Sequence, residues 1–376
     1  MIIKLVFLGI IILSNLQAQL DFYGEANLRY NAYLKDLTNT QNPIRFAKLN
    51  INYGLSDFEF KSNTTLEYHW DSSDNNLINF REYYLSYYPS FGEINIGKQI
   101  VTWGFADGTN PTDNINPYDL NYMFDSGVDR KIGIHLISSI IYYNDLKINM
   151  ILCYDNVKNI KNNRLPLPLP ENKTNNVIDY GIDFQYNMND AEINISYLMK
   201  KNIPILTQNS TLQTNVHTIG LNLLYLYNDM TIRSENAIFI GDNKEKFYQG
   251  IVQIEFPTWF DSNIGAQLFG TYNINNSASG LYGIGSPIFY FTEVSPILAT
   301  SFSKTFNDDT IEIGIFTMFE ILDGYGTSLG IEIDYEILDN LKSTIGISKF
   351  LEGNHQSFFN NIIDYSNIQL IFKYSF

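Results

Sequence analysis

The groups that could do chemistry in this chain are few and scattered. Its four histidines, His69, His135, His217 and His355, fall in no metal-ligand or nucleophile pattern. Neither Gly-x-Ser-x-Gly nor His-Glu-x-x-His occurs, so nothing sets a serine on a sharp elbow or two imidazoles on one helix face. Cys153 stands alone, which excludes a disulfide framework within the chain and a multi-cysteine zinc site. It reads as a small hydrophobe in a strand. The expectation is a protein that is not an enzyme and holds no cofactor and no metal.

The chemistry that remains is electrostatic, and it gathers around one stretch. Gly97-Lys98-Gln99-Ile100-Val101-Thr102-Trp103-Gly104-Phe105-Ala106-Asp107-Gly108 leads into Asp113-Asn114-Ile115-Asn116-Pro117-Tyr118-Asp119. Oxygen-rich loops can bind calcium, but Asp107-Gly108-Thr109-Asn110 lacks the EF-hand spacing. The stronger reading sets Asp107, Asp113 and Asp119 opposite Lys98 and Arg130 across a water-filled space. Rings of charge set ion preference in a pore. Trp103, Glu82, Glu25 and Arg29 complete the set of candidate pore and constriction residues. The plainer alternative is a surface loop whose Asp and Asn side chains cap turns.

Such charges need a frame, and the frame is written in period two. From Leu20 to Lys35 the even positions are Leu, Phe, Gly, Ala, Leu, Tyr, Ala and Leu. The odd positions are Asp, Tyr, Glu, Asn, Arg, Asn, Tyr and Lys. Successive strand residues point to opposite faces, so one face is apolar and the other polar. Residues 179–188, 191–200 and 329–337 repeat the pattern, and no convincing helical period is present. Turn-forming pairs such as Ser56-Asp57, Asn144-Asp145 and Asn228-Asp229 alternate with longer polar connections at 71–76, 103–130, 155–176, 201–214 and 273–293. Asn and Asp suit tight hairpins because they tolerate left-handed backbone angles.

Eight short turns separating nine long loops give 18 strands, with 16 as the alternative if 225–237 or 262–272 has been split wrongly. An even strand number with short turns at one end and long loops at the other is the layout of an outer-membrane β-barrel. The fold class is therefore all-β, a transmembrane antiparallel β-barrel of about 18 strands. A barrel that wide leaves an aqueous channel. By parity the lumen receives Glu25, Glu59, Glu67, Glu82, Asp183, Glu192, Glu235, Glu312, Glu332 and Asp334 against Arg29, Lys48, Lys61, Lys98 and Arg233, an acidic excess.

Both ends agree with that frame. Lys4 followed by an apolar run from Leu5 to Leu13 and a polar stretch to Gln19 reads as a secretory signal peptide over residues 1–19. The run is far short of the roughly 20 residues of a spanning helix. Residues 20–376 then form a single barrel domain, with 103–130 as a long loop that folds into the lumen. The last strand alternates Ile368, Leu370, Phe372, Tyr374 and Phe376 with polar neighbours. It resembles the terminal strand that the barrel-assembly machinery recognises. The formal charge of −16 argues against nucleic acid as a partner.

The stretch from Gly97 to Asp119, with Arg81-Glu82-Tyr83-Tyr84-Leu85 before it, resembles a family of porin-like outer-membrane barrels. Their shared pattern is Gly-(Arg/Lys)-Gln, then Trp-Gly-x-Ala-Asp-Gly, then Asp-x-(Ile/Val)-x-Pro-x-Asp. The match covers about 45 residues of the 376. It implies a barrel in the outer membrane of a Gram-negative-type envelope and a channel through it. The expected function is passive diffusion of small hydrophilic solutes with a weak preference for cations. Expected partners are outer-membrane lipid, the assembly machinery through Phe376, the solutes, and a second copy in a homo-oligomer. The competing reading is a non-conducting barrel serving as adhesin, assembly component or structural anchor.

Overall fold

The computed structural model describes residues 18–376 apart from 71–75, 108–109, 123–124, 126, 156, 158, 161–176, 207–210, 243–244, 259–260, 275–279, 282–293, 323 and 356. The expected leader up to residue 17 lies outside them, as do Gly108 and most of 155–176. The strands in chain order are β1 (Ala18–Tyr33), β2 (Ile44–Leu55), β3 (Phe58–Tyr68), β4 (Asn76–Tyr87), β5 (Gly92–Gln99) and β6 (Ile134–Tyr143). Next come β7 (Leu146–Cys153), β8 (Asp179–Asn187), β9 (Ala191–Leu206), β10 (Thr211–Tyr227), β11 (Met230–Gly241), β12 (Lys246–Thr258) and β13 (Ser262–Asn273). The two-residue β14 (Gly280–Leu281) precedes β15 (Val294–Phe306), β16 (Ile311–Glu320), β17 (Thr327–Leu338), β18 (Leu341–Leu351) and β19 (Asn367–Ser375).

Each strand pairs antiparallel with its chain neighbours, except that β14 leaves the wall and pairs with the end of β9, so β13 pairs directly with β15. β1 pairs with β19 from Glu25↔Ser375 to Tyr33↔Asn367, and 18 strands close on themselves. At the seam Gly24 donates to the Phe376 carbonyl at 2.9 Å and Phe376 donates back to Gly24 at 3.0 Å. Closure leaves no ladder edge, the condition for a sheet surrounded by hydrocarbon. Both doubtful regions resolve as strands: 225–237 is the end of β10, a turn and β11, and 262–272 is β13.

Turn chemistry sets one end of the barrel. Ser56, Asn144, Asn228 and Asp261 take φ of 53°, 50°, 51° and 52°, the left-handed angles that a tight hairpin demands. One connection differs from expectation. Residues 201–214 are not a long loop, because β9 and β10 stay paired out to Leu206↔Thr211. The ladder runs on through Ile203, Pro204, Ile205 and Leu206.

The alternation sorts the side chains as the period-two pattern requires. Leu28, Tyr30, Leu221, Leu268, Ile331, Ile333, Ile345 and Phe372 are exposed on the outer surface. Asn194, Asn222, Glu235 and Gln253 are buried on the inner one. Of four register shifts among the described strands, two break the parity beneath the lumen loop. Opposite Asn63 and Thr64 of β3, β4 contributes Glu82 and Phe80 and leaves Arg81 unpaired, while β2 holds an extra residue between Arg45 and Ala47. A bulge re-aims side chains, and here Arg81 and Glu82, adjacent in sequence, both engage the lumen loop.

The outward set makes one prediction. Ile331→Arg, at the middle of β17 on the outer face, should destabilise the barrel in lipid by about 2–4 kcal/mol. Glu332→Gln, one residue on and facing the lumen, should stay within ~0.5 kcal/mol. Reversible denaturant unfolding from bilayers measures both.

Candidate constriction in the barrel lumen

Residues 100–133 connect β5 to β6, and the chain turns inward rather than outward because polar groups at its root hold it there. The Glu82 carboxylate accepts the Ile100 amide at 2.8 Å. Asn116 then joins both limbs of the loop. Its Oδ1 accepts Val101 N at 2.8 Å, and its Nδ2 donates to the Gln99 and Ile132 carbonyls, each at 2.9 Å. Asn110 closes the tip by donating to the Trp103 carbonyl at 2.9 Å and accepting Thr112 N and Asp113 N at 3.1 and 3.0 Å. Gly104 sits between these groups with φ +98°, and a Cβ there would lie 2.5 Å from Asn110 Nδ2 and 2.6 Å from Glu235 Oε1.

The tip reaches across the lumen. Glu235 of β11, with no solvent exposure, accepts the amides of Phe105 and Ala106 (the latter at 2.5 Å) and the Thr112 hydroxyl at 3.1 Å. Asn222 of β10 donates to that hydroxyl at 2.9 Å. Asp107 meets Gln253 of β12 through its amide at 3.1 Å, Gln267 of β13 through its carbonyl at 2.9 Å, and the Arg233 guanidinium at 3.4 Å. Lys200 of β9 donates to the carbonyls of Asn114 and Ile115 at 3.0 and 3.1 Å. Trp103 packs beneath, with Ile115, Ile134, Leu136, Ile151, Cys153 and Leu198.

The returning limb is held by charge. Asp125 pairs with Arg29 of β1 at 2.7 Å. Asp129 pairs with Arg81 at 2.7 Å and Lys48 at 3.4 Å, and its carbonyl accepts Arg45 Nη1 at 2.5 Å. Arg45 also meets Glu67 at 2.9 Å and lies 3.5 Å from the Tyr122 ring. Burial pushes the Asp129 carboxyl up, but Lys48, Arg81 and Arg45 outweigh it and hold the group below its ordinary range. Tyr118 and Leu120 pack against Phe350, Phe358, Phe359 and Ile362, so the connection after β18 lies over the loop.

These contacts sort the expected site residues. Glu25 faces the lumen beside Lys48, Arg29 binds the loop, Glu82 anchors its root, and Asp107 anchors its tip. Trp103 is buried in the hydrophobic cluster under the loop. Asp113 forms a buried pair with Lys131, and Asp119 caps the Asn121 amide at 3.0 Å, with its carboxyl pushed up by burial. Arg130 lies 5.7 Å from the Tyr118 ring. Lys98 is a correction. It pairs with Tyr83 and His135 on the outer face, and its amine donates to the Phe80 carbonyl at 2.6 Å. Gln99 and Gly97 hold the inward parity of β5, so Lys98 cannot also face the lumen. Sequence reasoning missed Asn110, Asn116, Arg45, Arg81, Lys131 and Lys200. The Asx-rich pattern marked the first two as turn formers, but nothing in it marked them as holding distant carbonyls.

Fold comparison places the barrel among large outer-membrane barrels. The outer membrane protein OpdK from Pseudomonas aeruginosa superposes with a TM-score of 0.62 at 9% identity, over 96% of this chain and 99% of that one. OccK2 (OpdF) of Pseudomonas aeruginosa, solved with glucuronate, gives 0.61 at 10% identity over 96% and 98%. OccAB3 of Acinetobacter baumannii gives 0.58 at 10% identity over 96% and 99%. No protein-family model and no curated protein sequence matches the chain. The class is therefore a closed, 18-stranded antiparallel barrel of the outer-membrane type, with the β5–β6 loop bonded to the inner wall at β9, β11 and β12.

Two outcomes test the loop. Asn116→Ala leaves three backbone groups without their partner, the Gln99 carbonyl among them buried at a cost of about 1–3 kcal/mol, so residues 100–133 should become readily cleaved by protease while the barrel keeps its heat-modifiable migration. Asp129 has a lowered folded-state value, so its contribution is complete above the ordinary carboxylate range and is lost as pH falls through that lower value. The protection of residues 125–131 against hydrogen exchange, relative to the intrinsic rate at each pH, should fall in acid for the parent chain. In Asp129→Asn that protection should be low already at neutral pH.

Proposed function

We propose that this chain is an outer-membrane channel for passive diffusion of small hydrophilic solutes, with a weak preference for cations. The observation that carries the reading is how the lumen's charges are used. The basic cluster of Arg29, Arg45, Lys48 and Arg81 is spent on Asp125, Glu67 and Asp129, so little of it is left to draw anions. The inner face of β16 and β17 carries Glu312, Glu332, Asp334 and Glu336, and of these Asp334 is neutralised by Lys342 at 2.7 Å. An acidic wall beside a loop whose cations are matched favours cations.

The width supports a channel as well. Eighteen strands enclose more space than side chains fill, and one loop pinned across the lumen narrows that space. OccK2, a barrel of the same fold, was solved with glucuronate, which supports a solute of that size and polarity. The terminal strand β19, closing on β1 and ending in Phe376, supports delivery to the membrane by the barrel-assembly machinery.

Planar-bilayer recording of refolded protein under a KCl gradient tests the reading. Stepwise conductance with a cation-biased reversal potential is expected. A chloride-biased potential would remove the charge argument. Silence from heat-modifiable, folded protein would favour the non-conducting barrel.

A further inference from the structure

Below the root of the lumen loop, on the turn side, the wall from β4 to β7 holds a cavity of about 230 Å³ roofed by residues 99–103. Its groups are not consumed by the fold in the way the loop's anchors are. Tyr84, Thr102 and Lys147 line it, and among the described residues their hydroxyls and ammonium make no hydrogen bond to the protein. The amides of Asn95 and Asn149 each spend one end, Asn95 Oδ1 on Ser86 at 2.6 Å and Asn149 Nδ2 on Asp183 at 2.8 Å. Each keeps its other end for a guest. Trp103 and Ile151 supply an apolar wall.

We propose that this cavity is a solute-binding subsite for a neutral polyhydroxylated molecule the size of a monosaccharide. The inference deepens the channel reading and rests on it for the route by which the solute arrives. Size sets the upper limit, because 230 Å³ falls short of the roughly 300 Å³ where pockets for drug-sized ligands begin. Chemistry sets the class. Separately placed donors and acceptors, both hydroxyl and amide, match a ring that carries a hydroxyl on each carbon. Charge sets the neutrality. Lys147 is the one cation of the lining, and Glu82 in the lining with Asp183 and Glu192 beside Lys147 leave no surplus positive field for a carboxylate. Buried polar groups left unpaired by a wrong guest are costly, so the subsite discriminates by hydroxyl pattern rather than by charge.

The test uses the refolded full chain in detergent micelles, where binding needs no conduction. D-glucose and glucuronate are titrated against it by calorimetry and tryptophan fluorescence. Glucose should bind saturably. Tyr84→Phe and Lys147→Ala should each weaken it about fivefold, the loss of one hydrogen bond, with heat-modifiable migration unchanged. Trp103→Phe should abolish the fluorescence change. No saturable glucose binding, tighter binding of glucuronate, or variants that bind like the parent overturns the subsite. Conduction without binding overturns the subsite alone. Binding to a barrel that does not conduct overturns the channel reading and leaves the subsite standing.

Discussion

Every backbone N–H and C=O that meets hydrocarbon must find its partner inside the protein, and this molecule meets that constraint by closing a ring. The seam between β1 and β19, ending in the mutual pair of Gly24 and Phe376, turns an open sheet into one without an edge. Closure fixes the strand number at 18. It also fixes the face of each side chain, because the ladder is continuous and its period is two. Apolar residues then form the outside, and polar ones must share the inside with water.

A ring this wide cannot be filled by side chains, and the loop from β5 to β6 is the consequence. The loop is a polypeptide placed where water would be, so its own amides and carbonyls need partners. Asn116 and Asn110 satisfy them within the loop, while Glu235, Gln253, Gln267 and Lys200 satisfy them from the wall. Arg81, Lys48 and Arg29 hold the far limb through Asp129 and Asp125. The contacts spread from β1 to β13, so the loop divides the lumen rather than hugging one side.

Much of this frame was legible in the order of residues. Alternation and turn pairs yielded the strands, and the Trp103–Asp119 stretch marked the loop. The strand register puts Asp183, Glu235 and Arg233 on the inner side, where the alternation expected them. Lys98 failed because a motif drew attention to it, while the ladder of β5 puts Gln99 and Gly97 inside. Arg45 and Arg81 were hidden for a physical reason: each lies beside a bulge that shifts the parity, and a bulge leaves no mark in a hydrophobicity pattern. Asp113, Asp119 and Arg130 were rightly placed in the loop but wrongly imagined facing open water. Burial in the loop gives them internal partners instead. Loop conformation depends on contacts many residues apart, such as Phe105 with Glu235, and local spacing does not encode them.

The central claim is that the loop lies across the lumen and limits the pore. Its most direct test compares single-channel conductance of the parent chain with that of a chain lacking residues 104–112, the tip that reaches Glu235 and Gln253. A larger conductance per channel is expected from the shortened protein, with heat-modifiable migration preserved. Equal conductance from two equally well-folded barrels would contradict it, because a loop that leaves the current unchanged does not narrow the pore.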